Sequence, residues 1–246
     1  MRREKCRWTH ITSEEVKRHI ARNPTVLLPV GATEQHSEYS VCGTDYLQAE
    51  YVALEAGRRT DTLVLPPIPF GNSHYHSAFM GTVSVRPMTL VSLLLDVIES
   101  LSFQAVRRLI VVNGHGGNIP IIQTAFHEAK VKGVWMELEL VSWFLLPEVR
   151  ELEERLYGER NGYHVTCGEV ACNLAMFEDF EIEGKDYTHR KGEFSVMHAE
   201  EFRLSFPEGV CWSDLTLVRR EHGEKLLEAG VRGLCRVIEK KKEVVR

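Results

Sequence analysis

The feature that most constrains this fold is an alternation of short β-forming runs with longer helical ones. Thr25-Val-Leu-Leu-Pro-Val30 reads as a buried strand, and residues 62–65, 108–112 and 135–141 read as three more. A helix is expected from Thr44, a good N-cap with Asp45 in the first turn, to about Arg59. Another opens at Pro87 and carries Leu90, Leu93, Leu94, Val97, Ile98 and Leu101 as a helical stripe. Asn118-Ile-Pro120 starts a third helix, and a closing one is expected from about Glu221. Alternating β and α segments imply an α/β fold with a mainly parallel sheet covered by helices on both faces. In such sheets ligands bind just beyond the carboxyl ends of the strands. The loops after Val30, Leu65 and Val112 are therefore where chemistry is expected.

Composition narrows the function. With 246 residues the chain suffices for one large α/β domain or two small ones, and it has no repeats or Pro/Ser-rich linker. A net charge of −5 argues against a nucleic-acid partner, which needs a basic surface. No run approaches the roughly 20 apolar residues needed to cross a bilayer, so no membrane partner is expected. The start, Met1-Arg-Arg-Glu-Lys-Cys-Arg7, is charged and is followed by no apolar stretch, so a cytoplasmic protein is expected. The six cysteines are scattered without a CxxC pair and read as reduced thiols, with Cys42 or Cys167 as an alternative nucleophile.

The strand-end loops hold the informative residues. The first reads Gly31-Ala-Thr-Glu34-Gln-His36, with Asp45 nine residues further on, and the third reads Asn113-Gly-His115-Gly-Gly-Asn118. Glu, His and Asp converging beyond adjacent strands offer mixed oxygen and nitrogen ligands, which suit Zn²⁺, Mn²⁺ or Fe²⁺. Glu34 and His36 are two apart, so an extended backbone projects both to one side. Taken singly, His115-Gly-Gly can be a tight turn and Glu34 a surface carboxylate. The best fifth ligand is Glu169, in His164-Val-Thr-Cys-Gly168-Glu169. A carboxylate there also suits a helix start for purely structural reasons, and His164 can be an ordinary loop histidine. His74 and His76 are expected to contact substrate, and Trp143 and Trp212 to lie in the core rather than on a pocket wall.

Six segments in order resemble the successive motifs of the creatininase (creatinine amidohydrolase) family: Glu34-Gln-His36, Gly43-Thr44-Asp45, Phe70-Gly71-Asn-Ser73-x-x-His76, Gly81-Thr82-Val-Ser, Asn113-Gly-His115-Gly-Gly-Asn118 and His164-x4-Glu169. The likeness runs from about Leu27 to Leu174 and extends towards Gly209-Val-Cys-Trp-Ser-Asp214. It implies a single three-layer sandwich domain over residues 1–246, assembled as a homohexamer. It also implies two divalent ions per chain. Glu34 and His115 would hold one, His36 and Glu169 the other, with Asp45 bridging. His164 falls where the family has its catalytic histidine, and Ser73, His76, Gly116 and Gly117 fall where substrate is expected.

Two departures bear on substrate. Where family members often carry His-Gly-Pro-His-Leu-Pro, this chain has His36-Ser-Glu-Tyr-Ser-Val-Cys42. Creatininase proper has a glutamate two residues after the third-loop histidine, where this chain has Gly117, so Glu169 inherits that task. The Gly-Gly form resembles the wider family, which includes a formamide hydrolase, a peptidase maturing a peptide-derived cofactor, and sugar-ring hydrolases. The expected activity is metal-dependent hydrolysis of a C–N bond (amide, cyclic amide or formamide) in a small molecule. The alternatives are C–C cleavage of a cyclic ketone, peptide cleavage in cofactor maturation, and a catalytically silent metal-binding scaffold.

Overall fold

A computed structural model describes residues 3–189 and 196–240. Met1 and Arg2, which open the charged N-terminal run, lie outside the described residues. Four parallel strands, β1 (Thr25–Val30), β2 (Leu63–Val64), β3 (Arg108–Asn113) and β4 (Glu137–Ser142), form a sheet in the order β2-β1-β3-β4. Eight α-helices accompany them among the described residues. These are α1 (Ser13–Ile20), α2 (Thr44–Thr60), α3 (Pro87–Ser102), α4 (Ile119–Val131), α5 (Pro147–Leu156), α6 (Cys167–Met176), α7 (Ala199–Ser205) and α8 (Arg220–Glu239).

The period-two alternation of the strands divides the core. Leu27, Ile110 and Val112 pack on one face against residues of α2, α5, α6 and α8, such as Val52, Val149, Val170 and Leu226. Val26, Leu28, Val30, Leu109 and Val111 pack on the other face against Leu90, Leu94 and Ile98 of α3 and Ile122 and Ala125 of α4. The expected stripe on α3 is thus the buried one, although Leu93 is 43% exposed and lies off it. Two helical layers around one sheet make the three-layer α/β sandwich.

Connection geometry then places the site. The crossover from β1 to β2 runs through α2 on one face, and those from β2 to β3 and β3 to β4 run through α3 and α4 on the other. Right-handed crossovers demand this when strand order reverses direction. The reversal falls between β1 and β3, so their carboxyl ends open a crevice.

Three details differ from expectation. Thr44 is the first helical residue of α2, and Gly43 is the cap; the Thr44 hydroxyl instead donates to the Val41 carbonyl at 2.6 Å. The second strand keeps only Leu63–Val64, because Pro66 and Pro67 follow and remove ladder donors. The fourth begins at Glu137, opposite Arg108, after Gly133 turns the chain at φ +82°, and it leaves Trp135 96% exposed.

Candidate metal centre

β1 and β3 deliver Glu34, His36 and His115 to the crevice on the loops that follow them, and α2 brings Asp45 in its first turn. A carboxylate at a helix N-terminus is favoured by the dipole. Asp45 splits its oxygens between two histidines: Oδ1 lies 3.4 Å from His36 Nε2, and Oδ2 lies 3.0 Å from His115 Nδ1. Glu34 Oε1 is 3.5 Å from His115 Nδ1, and Glu169 Oε2 is 4.0 Å from His36 Nε2. Three donor groups result among the described residues: Glu34/Asp45/His115 and His36/Asp45/Glu169, which carry the five expected ligands, and Glu34/His36/His164, which adds His164 to the candidate donors. Within each, one donor atom per residue lies within 4.8 Å of the others, and Asp45 belongs to the first two.

The outer partners of each ring decide which nitrogen faces inward. His36 Nδ1 donates to the Glu34 carbonyl at 3.2 Å, and His115 Nε2 donates to the Asn72 carbonyl at 3.0 Å. A carbonyl can only accept, so the opposite nitrogen of each ring is left to face the carboxylates. Glu169 has a second task, since Thr166 caps α6 and donates its backbone N–H to Glu169 Oε2 at 2.7 Å. Its side chain remains 27% exposed towards the cavity.

Electrostatics at the centre follow from crowding three carboxylates out of water. Burial, with Asp45 adding to it, pushes Glu34 up to about 7. Burial also raises Glu169. Burial works against a charged His36 ring, yet Asp45, Glu169 and Glu34 outweigh it and lift its pKa to about 10. Glu34 and Asp45 likewise lift His115 to about 9 against its burial. Asp45 is buried too, but the His115 and His36 rings at ion-pair distance hold it down at about 2. In the protein alone, protons on two imidazoles thus compensate carboxylate charge.

A cation fits better than those protons. Glu34 Oε2, His36 Nε2 and Asp45 Oδ2 are buried without one well-aligned hydrogen bond, although each has neighbours at ion-pair distance. Donor atoms that converge on shared points, rather than aim at one another, are arranged as ligands around an ion. Three carboxylates and two imidazoles make the mixed set that borderline divalent metals favour.

Two further histidines stack beside the cluster. His164 Nδ1 lies 3.5 Å from Glu34 Oε1, and His76 Nε2 lies 3.8 Å from Glu34 Oε2. Their rings are 4.1 Å apart and nearly parallel, and the His36 ring is 4.7 Å from His164. Burial, helped by neighbouring histidines, holds His76 down at about 3 and His164 well below its ordinary value, which favours the neutral form of each ring.

A cavity of about 620 Å³ opens over the cluster, floored by Glu34, His76, His115, His164 and Glu169. Its outer wall carries Phe144, Arg150, Glu153, Tyr163 and Trp143. Trp143 is thus both a core residue and a wall residue, while Trp212 packs edge-on to Phe206 in a small separate cluster. Gly116 and Gly117 line the cavity floor. A side chain at Gly117 would place its Cβ 2.6 Å from His115 Nε2 and 2.7 Å from the Asn72 carbonyl, so this loop cannot also supply a carboxylate without shifting. Ser73 does not reach the cavity. It is buried, with Oγ 3.4 Å from His115 Nε2, so it supports that ring from behind. His74 is exposed and lies off the wall.

The cysteine alternative loses ground. Cys167 is buried and donates to the Arg160 and Asp214 carbonyls at 3.3 and 3.1 Å, and burial pushes its thiol up to about 12. Cys42 lies against Gly81 and is absent from the cavity wall.

Sequence reasoning missed Gln35 and Glu153. Gln35 sits inside the first motif, yet its partners are His76, His164 and Gly209. Glu153 is one of several acids on the charged helix α5, and nothing in its spacing marks it as the one turned inward.

Known proteins resemble this chain in sequence and in fold. Creatinine amidohydrolase of Pseudomonas putida is 27% identical over 246 residues, covering 93% of this chain and 94% of that protein. The mycofactocin precursor peptide peptidase of Mycolicibacterium smegmatis is 37% identical over 116 residues, covering 45% of this chain and 47% of its own length. A solved structure described as "Creatininase Mn" superposes with a TM-score of 0.83 over 96% of this chain and 98% of its own, at 24% identity, and shares the fold. The family model for creatinine amidohydrolase matches residues 9–238, and the chain belongs to the creatininase family.

Proposed function

We propose that this protein is a hydrolase using two divalent cations, Zn, Mn or Fe, to cleave a C–N bond in a small molecule. The observation that carries the reading is the pair of donor triads sharing Asp45, buried at the floor of a cavity and left with unaligned polar atoms. Glu34 and His115 would hold one ion, His36 and Glu169 the other, and Asp45 both. Divalent ions held this way acidify water and polarise a carbonyl, which answers the scarcity of hydroxide at neutral pH.

The chain's own side chains supply the rest. An amide nitrogen leaves only when protonated, and His164, neutral and beside the cluster, can carry a proton to it. His76 stacks on His164 and limits its rotation. Gly116 and Gly117 bring backbone close to the cavity floor, where a substrate oxygen can be held. The wall of Phe144 and Trp143 shields the reacting group from bulk water.

A second reading, trimming of a precursor peptide, is favoured by the cavity. About 620 Å³ is within the range that holds drug-sized ligands and is larger than one small ring requires. The stronger local identity to the peptidase points the same way.

The test is metal analysis of protein purified without added metal, followed by turnover assays on lactams, formamides and short peptides. Two ions per chain and chelator-sensitive hydrolysis of a lactam or formamide support the first reading. Cleavage confined to peptides supports the second. Bound metal with no turnover of any class would indicate a silent scaffold.

A further inference from the structure

The segment from Gly209 to Asp214, to which the hydrolytic reading gives no task, closes over His164 and Gln35. Tyr163 N donates to the Cys211 carbonyl at 2.9 Å, and Cys211 N donates to the His164 carbonyl at 3.1 Å, which clamps the His164 backbone. Gly209 has φ +73°, and a Cβ there would fall 2.4 Å from Gln35 Oε1. Only glycine lets this loop approach so closely in that conformation.

One assignment of the hydrogen bonds around Gln35 pairs every backbone group that meets it. Gln35 Oε1 lies 2.9 Å from Ser37 N, which can only donate, so the amide orientation is pinned. Gln35 Nε2 therefore has two hydrogens to give. The Gly209 carbonyl at 3.1 Å can only accept, and it takes one. Two ring nitrogens compete for the other, His76 Nδ1 at 3.2 Å and His164 Nε2 at 3.0 Å. The backbone carbonyl of Gln35 breaks the tie, because it lies 3.1 Å from His164 Nε2 and can only accept. With a proton on His164 Nε2, that carbonyl is satisfied and the amide's second hydrogen goes to His76 Nδ1. The reverse assignment sets the carbonyl and a bare His164 nitrogen against each other and leaves the carbonyl unpaired in a buried site, which is costly.

We propose that Gln35 is a positioning residue that fixes two Nε2–H tautomers, that of His164 through its backbone carbonyl and that of His76 through its side-chain amide, so that His164 turns a bare Nδ1, and His76 an N–H, towards Glu34. The two inward distances, 3.5 Å from His164 Nδ1 to Glu34 Oε1 and 3.8 Å from His76 Nε2 to Glu34 Oε2, then set a lone pair of His164 and an N–H of His76 against Glu34, and the lone pair needs a proton or a cation between it and the carboxylate. The catalytic consequence rests on the hydrolase reading. His164 starts as the base: a water O–H bond breaks, its proton goes to Nδ1, and the oxygen's electron pair forms the new C–O bond. The C–N bond then breaks, and the departing nitrogen's electron pair takes that proton from Nδ1, which returns the ring to neutral. A ring that began as Nδ1–H would have no lone pair for the first half.

Histidine tautomers are read directly by long-range ¹⁵N–¹H correlation spectra of the ¹⁵N-labelled full chain, after chelation and again after adding zinc. The expected result in both states is Nε2 protonated and Nδ1 bare in His76 and His164. In Gln35→Glu a carboxylate accepts where the amide donated, so His76 should move its proton to Nδ1, exchanging its two nitrogen resonances. His164 should keep its own on Nε2, held by the backbone carbonyl of residue 35. Nδ1–H on either ring of the natural chain overturns the proposal whether or not the variant folds, and so does an unchanged His76 in a folded Gln35→Glu. The readout needs no substrate. A protein with these tautomers and no turnover would sink the hydrolase reading and leave the role of Gln35 standing.

Discussion

Replacing Glu153 with glutamine should stabilise the protein, and only above mildly acidic pH. The carboxyl is 8% exposed on the inner side of α5, with the exposed Arg150 guanidinium 3.4 Å away as its ion-pair partner. Burial raises its pKa from 4.5 to about 7, against the opposing effects of Asn161 and Arg150. The sign follows from proton linkage. Between 4.5 and about 7 the folded chain holds a proton that the unfolded chain has released, so stability falls as pH rises through that window. At about 1.4 kcal/mol per pH unit, the ionised side chain costs the fold about 3 kcal/mol by pH 8. Exposure of the Arg150 end lets solvent reduce this, so a gain of about 1–3 kcal/mol is the expected magnitude for Glu153→Gln. Glutamine keeps the shape and can still accept a hydrogen bond from Asn161. The assay is urea unfolding of the metal-free natural chain and the variant, at pH 4.5 and at pH 8. The difference between the two proteins should be near zero at the lower pH and should favour the variant at the higher. An equal difference at both values would refute the argument, because it would mean that ionisation of Glu153 costs the fold nothing.

The other predictions concern the centre and the assembly. Asp45→Ala should lose at least one of the two ions, since both Asp45 oxygens face histidines of different triads; two ions per chain in the variant by metal analysis would rule out bridging. His164→Ala should keep its metal and lose about 10²–10⁴ in kcat, with less loss on substrates whose leaving group needs no proton. Loss of an ion from that variant would make His164 a ligand. Thiol alkylation should leave turnover intact while chelation abolishes it, and the reverse pattern would restore a cysteine nucleophile. Light scattering at micromolar concentration should give a hexamer, and a monomer there would exclude the assembly that the family resemblance implies.

Residue by residue, the sequence and the tertiary structure answered different questions. The strands and their helices were legible because the apolar period is local: Thr25–Val30 and Arg108–Asn113 are buried runs whatever surrounds them. Glu34, His36, Asp45 and His115 were legible as a group because each falls just after a strand or in the first turn of the helix that follows. A parallel sheet gathers those positions at one edge. Boundaries depending on one hydrogen bond, such as the cap at Gly43, were not legible, because Thr44 could serve either as the cap or as the first helical residue. Neither were the duties of Gln35 and Glu153. Gln35 meets His164 across 129 residues and Gly209 across 174, and no local pattern encodes a contact that exists only after three crossovers have closed. Glu153 differs from the other acids of α5 only in where the helix docks. Charge, period and motif determined which side chains stand at the strand ends; only the tertiary structure decided the rest, because burial is a property of the whole fold. The carbonyls of Glu34, Gln35 and Asn72 decided which nitrogen of His36, His164 and His115 faces inward, and the packing of α5, α6 and the 209–214 segment decided which side chains are dry and how large a cavity they enclose.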